Sequence, residues 1–457
     1  MFTRLIFVLF VLTQFGLFPQ KGEVKSSAVT IYNSGLGVVK ETRSFDLPAG
    51  ISAINVTDVA QQIDATSVRV KFNGEVIEQN YQYDLASSQK ILSRYIDKEI
   101  QMIKENGEVI TGKLISVSGN DIVLQRKEGG LIVFPTLQGY RLSVDALPEG
   151  LITRPTLKCI FNTKKAGTQD VELSYQTGGM GWNAEYVALL DKDDKNMDLK
   201  AWVSLTNNSG TAFKDVKLKL VAGDVNRVQP QPVYANGMGK RADLMMAEAD
   251  ASQFQEQSFF EYHLYSLQRP ATLANNETKQ ISMFESENIR VTKKYQYKSG
   301  FGGYYGGQNS SKVNVVVEFE NKQSNNLGMP MPKGRVRLYK SDGESIEFIG
   351  EDAIDHTPKD EKLALKVGDA FDIVAEETQT DYRKITDRVH EYSYKIVLKN
   401  RKDTDITVDV NKYVGTNWEV LKSSLTHEKK DAQNIGFSVP VKAGKESELV
   451  FTIRYNY

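Results

Sequence analysis

Tyr175–Leu190 reads YQTGGMGWNAEYVALL, and Leu199–Asn226 reads LKAWVSLTNNSGTAFKDVKLKLVAGDVN. Together these segments predict four strands joined by tight turns. Period-two alternation marks a half-buried strand, because successive side chains point to opposite faces. Val171, Leu173 and Tyr175 alternate with Glu172, Ser174 and Gln176. Tyr186, Ala188 and Leu190 line one face of the next run. Leu199, Ala201, Val203 and Leu205 alternate with Lys200, Trp202, Ser204 and Thr206, and Val216, Leu218, Leu220 and Ala222 with Lys217 and Lys219. Gly178, Gly179 and Gly181 permit positive φ, and Asn207-Asn208-Ser209-Gly210 is a turn signal. Successive antiparallel strands with one polar face fit a sandwich.

Further motifs follow in order. They are EYHLYSLQRPATLANNETKQI at Glu261–Ile281, GMPMPKGRVRLYKSD at Gly328–Asp342 and GEDAIDHTPKDEKLALKVGDAFDIV at Gly350–Val374. With YQTGGMGWNAEY, LKAWVSLTNNSG and LKLVAGDVN, they make the chain from about Leu157 onward resemble a bacterial family. It is domain of unknown function 4139, which includes the mucoidy-inhibitor-A-like proteins. SVRVKF and EQNYQYDL resemble the N-terminal part common in that family, whereas the long coiled coil of some relatives is absent. The resemblance implies a β-rich fold and carries over no catalytic residues.

The chain of 457 residues suggests about three domains at ~150 residues each. Formal net charge is −1, from 57 basic and 58 acidic residues, so there is no bulk attraction to nucleic acid or an anionic membrane. Met1–Gln20 reads as a secretory signal peptide, with Arg4 before the apolar runs Leu5–Leu12 and Phe15–Phe18. An uncleaved anchor is the alternative. The segment is short of the ~20 apolar residues of a spanning helix, and no second segment approaches that length. The expected location is the periplasm, outer envelope or extracellular space. The single cysteine, Cys159, excludes an internal disulfide and reads as a small buried hydrophobe.

The expected fold is mainly β, with several antiparallel sandwich or barrel domains. Residues 28–95 read as an N-terminal β-domain, with a short helix over Asp84–Ile96 at its end. Residues 97–150 carry five short strands between glycine turns, like a small SH3-like or Sm-like barrel. Residues 151–228 form a first sandwich part, 229–258 a flexible linker or insertion, and 259–457 a C-terminal immunoglobulin-like sandwich. In that last region Tyr262–Leu267, Thr278–Ser282, Arg290–Tyr297 and Val313–Phe319 read as strands. Tyr392, Tyr394, Ile396 and Leu398 form one face, followed by Ile406, Val408 and Val410.

Common catalytic signatures fail. No G-x-S-x-G elbow occurs, and Gly239-Lys240 has Tyr234 where a phosphate loop needs its first glycine. His390-Glu391 and His427-Glu428 lack the second histidine of a zinc helix, and His263 and His356 sit far apart. Asp191, Asp193, Asp194 and Asp198 gather oxygen ligands in one turn, but without the glycine of a calcium loop. Asp352, Asp355 and His356, with Glu351, are the catalytic or metal candidates; the simpler reading is an inter-strand loop bonded to backbone. Phe301, Tyr304 and Tyr305 in the Gly/Tyr segment 299–311 are candidate partner contacts. No cofactor is expected.

The expectation is a non-enzymatic binding or structural protein of the envelope, whose partner is a protein or a polysaccharide. The alternatives are a hydrolase of an envelope polymer, using the acids of Gly350–Glu361, and a subunit of a surface assembly.

Overall fold

The structure is a computed structural model describing residues 22–119, 121–223, 225–226, 254–259, 261–300 and 312–456. The four strands of the deciding stretch form at Gly167–Thr177, Met180–Leu190, Asn196–Asn207 and Phe213–Ala222. Their apolar faces are buried as the alternation requires, from Val171 to Ala222. Gly179 takes φ 73° in the first turn, and an added Cβ there would lie 2.7 Å from the Asn208 carbonyl oxygen, so only glycine fits.

These four strands do not form one antiparallel meander. Met180–Leu190 and Asn196–Asn207 pair as a hairpin within a 13-stranded sheet. Gly167–Thr177 and Phe213–Ala222 belong to a second, 8-stranded sheet with the N-terminal strands Glu23–Tyr32 and Gly37–Leu47. There Phe213–Ala222 lies parallel to Glu23–Tyr32. A period-two pattern states which side chains are buried and nothing about the neighbouring strand, so sheet switching is invisible to it.

A crossing follows an asparagine at the end of an apolar strand three times; the first changes sheets, and the other two stay within the 13-stranded sheet. The sequences are WVSLTN to Asn207, VVEFEN to Asn321 and KIVLKN to Asn400. Each next long strand enters in parallel: Phe213–Ala222 on Glu23–Tyr32, Gly334–Ser341 on Met180–Leu190, and Ile406–Tyr413 on Glu277–Ser299. Each buried amide pins its own crossing. Asn207 donates to the carbonyls of Thr211 (2.9 Å) and Ala274 (3.0 Å) and accepts from the Ser209 N–H. Asn400 donates to Thr404 (2.9 Å) and Lys442 (3.2 Å) and accepts from the Lys402 N–H. Asn321 donates to Met329 (2.7 Å) and Pro358 (2.9 Å) and accepts from the Gly328 N–H.

Two 23-residue strands, Glu277–Ser299 and Lys362–Lys384, run from one core into the next. The first buries Ile281 and Ile289 in the large core and Tyr297 in the C-terminal core. The sequence divides it into two strands, but Asn288 at φ 57° and register shifts against Asn196–Asn207 keep the ladder continuous. Phe254–Phe259, read as linker up to Ser258, is a strand pairing with Tyr262–Leu267. Its order comes from that partner and one buried anchor, Phe254, rather than from an apolar stripe. The rest of segment 229–253 lies outside the described residues.

The third unit is a five-stranded sheet whose strands run Tyr140–Ser143, Glu99–Lys104, Val109–Ser118, Asp121–Gln125, Leu131–Phe134 in space. Its hydrogen-bonded path is open at both ends among the described residues, so it curls without closing. Ile100, Met102, Leu114, Ile122, Leu124 and Phe134 fill it, capped by Leu92 and Tyr95. The helix is Ser88–Arg94, with the Ser87 hydroxyl accepting from the Lys90 N–H. It is shorter than Asp84–Ile96 because Leu85 pairs with Ile152 in an extended bridge.

Candidate functional site

A concavity of about 650 Å³ opens on the five-stranded sheet. The Asn106-Gly107 turn brings Lys104, Glu108 and Val109 to one wall, and Val133, Pro135 and Tyr140 line the other. Phe134 meets Tyr140 edge-on at 5.1 Å beneath them. Alternation in Leu131–Phe134 buries Phe134 and turns Leu131 and Val133 outward, each 62% exposed. Val109 is also exposed. Lys104 and Glu108 pair at 2.7 Å, and the hydrogen bond from Lys104 holds the Glu108 carboxyl below the usual range. The two outer strands, Leu131–Phe134 and Tyr140–Ser143, each have one backbone edge that no strand pairs among the described residues. Leu131 and Val133, exposed on an outer strand with an open edge, can take an extended chain by strand addition.

A second feature lies at one end of the C-terminal sandwich. Tyr382, 46% exposed, stands opposite Tyr392 with ring centroids 5.0 Å apart. Its hydroxyl bonds His390 Nδ1 at 2.8 Å, and the two rings stack. Tyr392 meets Tyr455 edge-on at 5.4 Å. These rings have polar rims and offer an apolar face with hydrogen-bonding edges.

The sequence candidates fall as follows. Asp352 lies on strand Ile346–Ile354, and its carboxylate accepts the Lys366 N–H at 2.7 Å. Asp355 projects into solvent, 94% exposed at its side chain, with Lys333 3.8 Å away. His356 Nδ1 accepts the Lys333 N–H at 3.1 Å. The loop is thus bonded to backbone, as the simpler reading has it, and no group of three metal-ligating side chains occurs among the described residues. Asp191 closes its own turn by accepting from the N–H groups of Lys195 and Asn196. Asp194 is gripped by Lys293 at 2.8 Å and Lys340 at 2.5 Å. Cys159 is buried, which pushes its thiol up to about 12. Phe301, Tyr304 and Tyr305 lie outside the described residues.

Two buried ionic clusters were not singled out from the sequence. Arg43 bonds Glu41 at 2.6 Å and Asp58 at 2.7 Å in the N-terminal sheet. Lys412 bonds Glu377 at 2.5 Å in the C-terminal sandwich. A signal for both exists. Glu41 and Arg43 fall in phase with buried Val39 and Phe45, Glu377 with Ile373 and Ala375, and Lys412 with Val408 and Val410. A charge on the apolar face of a strand must be paired or hydrogen-bonded when the sheet closes.

Residues 171–457 match the family model described as a domain of unknown function (DUF4139), and the chain belongs to that family. No curated protein matches it significantly.

Proposed function

We propose that this member of the family is an exported protein of the cell envelope that binds another envelope protein, and that it is not an enzyme. The observation that carries the proposal is the open groove of the five-stranded sheet, lined by exposed Val109 and Val133, next to the outer strand Leu131–Phe134, whose far edge no strand pairs among the described residues. An extended segment of the partner adds there as a strand, with alternate apolar side chains against Val133 and Tyr140. Within the groove Lys104 is already neutralised by Glu108. The leader-like Met1–Gln20 supports export.

Crosslinking in the native envelope, followed by purification of the full chain, tests this. A protein captured by the wild type and lost from Leu131→Lys/Val133→Lys supports the groove; equal capture by both sinks it. The aromatic end at Tyr382, His390 and Tyr392 favours a second reading, a polysaccharide stacked on those rings. Glycan recovered without protein, and lost from Tyr382→Ala, would replace the first reading with that one.

A further inference from the structure

Lys412 and Glu377 are sealed together, with side chains 1% and 2% exposed. They sit on strands Ile406–Tyr413 and Lys362–Lys384, which no ladder joins among the described residues. Each partner is held in place. Lys412 Nζ contacts Glu377 Oε1 at 2.5 Å, Ser299 Oγ at 3.1 Å and the Gly300 carbonyl at 3.3 Å. The Tyr394 ring lies 4.1 Å from Nζ. The other carboxyl oxygen, Oε2, accepts from the Tyr297 hydroxyl at 3.3 Å and from the Ser299 hydroxyl.

We propose that Lys412 and Glu377 condense into an intramolecular amide that cross-links these two strands. Nζ forms a bond to Cδ of Glu377, and the Cδ–Oε1 bond breaks. Two ammonium protons leave with Oε1 as one water, so the step needs no oxidant or second reactant. The two carboxyl oxygens already have different surroundings. Oε1 touches the amine that supplies its protons, whereas Oε2 faces two hydroxyl donors placed where negative charge builds during attack. Tyr297 and Ser299 are therefore the catalytic residues of the step. Fixing amine and carboxyl in contact removes the entropy cost of bringing them together.

Burial supplies the driving force. Two charges held away from water are costly, and a neutral amide abolishes both. The new N–H keeps acceptors in reach at Ser299 Oγ and the Gly300 carbonyl. Water released into a packed core leaves, and hydrolysis then lacks its reactant. Burial also lowers the Lys412 ammonium against the opposing pull of Glu377, which eases loss of the first proton.

The test is the intact mass of the purified full chain under denaturing conditions, referred to its observed N-terminus, with a tryptic map. The expected result is a chain lighter by one water and a branched peptide joining the Glu377 segment to the Lys412 segment. Lys412→Arg is expected at its full sequence mass. Tyr297→Phe/Ser299→Ala is expected to leave a larger uncross-linked fraction. A wild-type chain at sequence mass, or a water lost elsewhere with trypsin cutting after Lys412, overturns the proposal. The wild-type map decides the matter even where a variant fails to fold.

Discussion

Arg43 and Lys412 are both cations buried on the apolar face of a strand, and their surroundings differ in kind. Arg43 meets two carboxylates, Glu41 and Asp58, and Asp58 is 25% exposed at its side chain. Its guanidinium forks between them, and although burial opposes the charge, both carboxylates outweigh it and hold its pKa above the ordinary value. Lys412 meets one carboxylate with no outlet to water, and there burial wins and its pKa falls. The first cluster is a vented ion network that keeps its charge. The second is a closed pair under pressure to lose it. What separates them is the count of partners and the access of water, not the cation.

The sharpest way to break that contrast is to remove one partner from each cluster. Glu377→Ala leaves Lys412 without its carboxylate in a dry core, and the expected cost is about 3–5 kcal/mol in denaturant unfolding. Replacing both groups by apolar ones, Glu377→Leu/Lys412→Met, is expected to recover the part of that loss that comes from the stranded ammonium. A single variant as stable as wild type would mean that water reaches the pair.

Arg43→Met is expected to cost less, about 2–3 kcal/mol, because Asp58 can turn to solvent while Glu41 stays stranded. If Arg43→Met proves costlier than Glu377→Ala, venting is not the distinguishing factor. A third ion cluster sets the lower end of the scale. Burial would raise the Asp194 carboxyl, but hydrogen bonds from Lys293 and Lys340 outweigh it and the net shift is downward. A carboxyl depressed in the fold stabilises it above the unfolded pKa of ~3.9, and that stabilisation is lost as pH falls through the folded value. Asp194→Asn is therefore expected to cost about 1 kcal/mol at pH 7 and less at pH ~3. An equal cost at both pH values would assign the loss to packing.

Much of the architecture was legible because alternation is local. The Tyr262–Leu267 strand has its sequence boundaries, and the faces led by Val171, Leu199 and Val216 are buried as read, as is the face led by Tyr392 except for Tyr392 itself, which is half-buried. Phe254–Phe259 was not legible, since two phenylalanines five residues apart give no period of two and its order comes from Tyr262–Leu267. The groove was half legible. Five short strands could be counted, but the exposure of Leu131 and Val133 depends on a sheet that curls without closing. Within Glu351–His356, the backbone partners of Asp352 and His356 at Lys366 and Lys333 were not legible, because they lie on other strands or loops.

By itself the sequence determined the β class, the phase of each long strand and the turn at Gly178-Gly179, because these follow from neighbours a few residues apart. Tertiary structure alone decided that the chain crosses over after Asn207, Asn321 and Asn400, changing sheets at the first, and that each next long strand enters in parallel. It also decided that Lys412 meets Glu377 across 35 positions. Pairing over that separation depends on how the sheets pack, and a period of two carries no record of the partner.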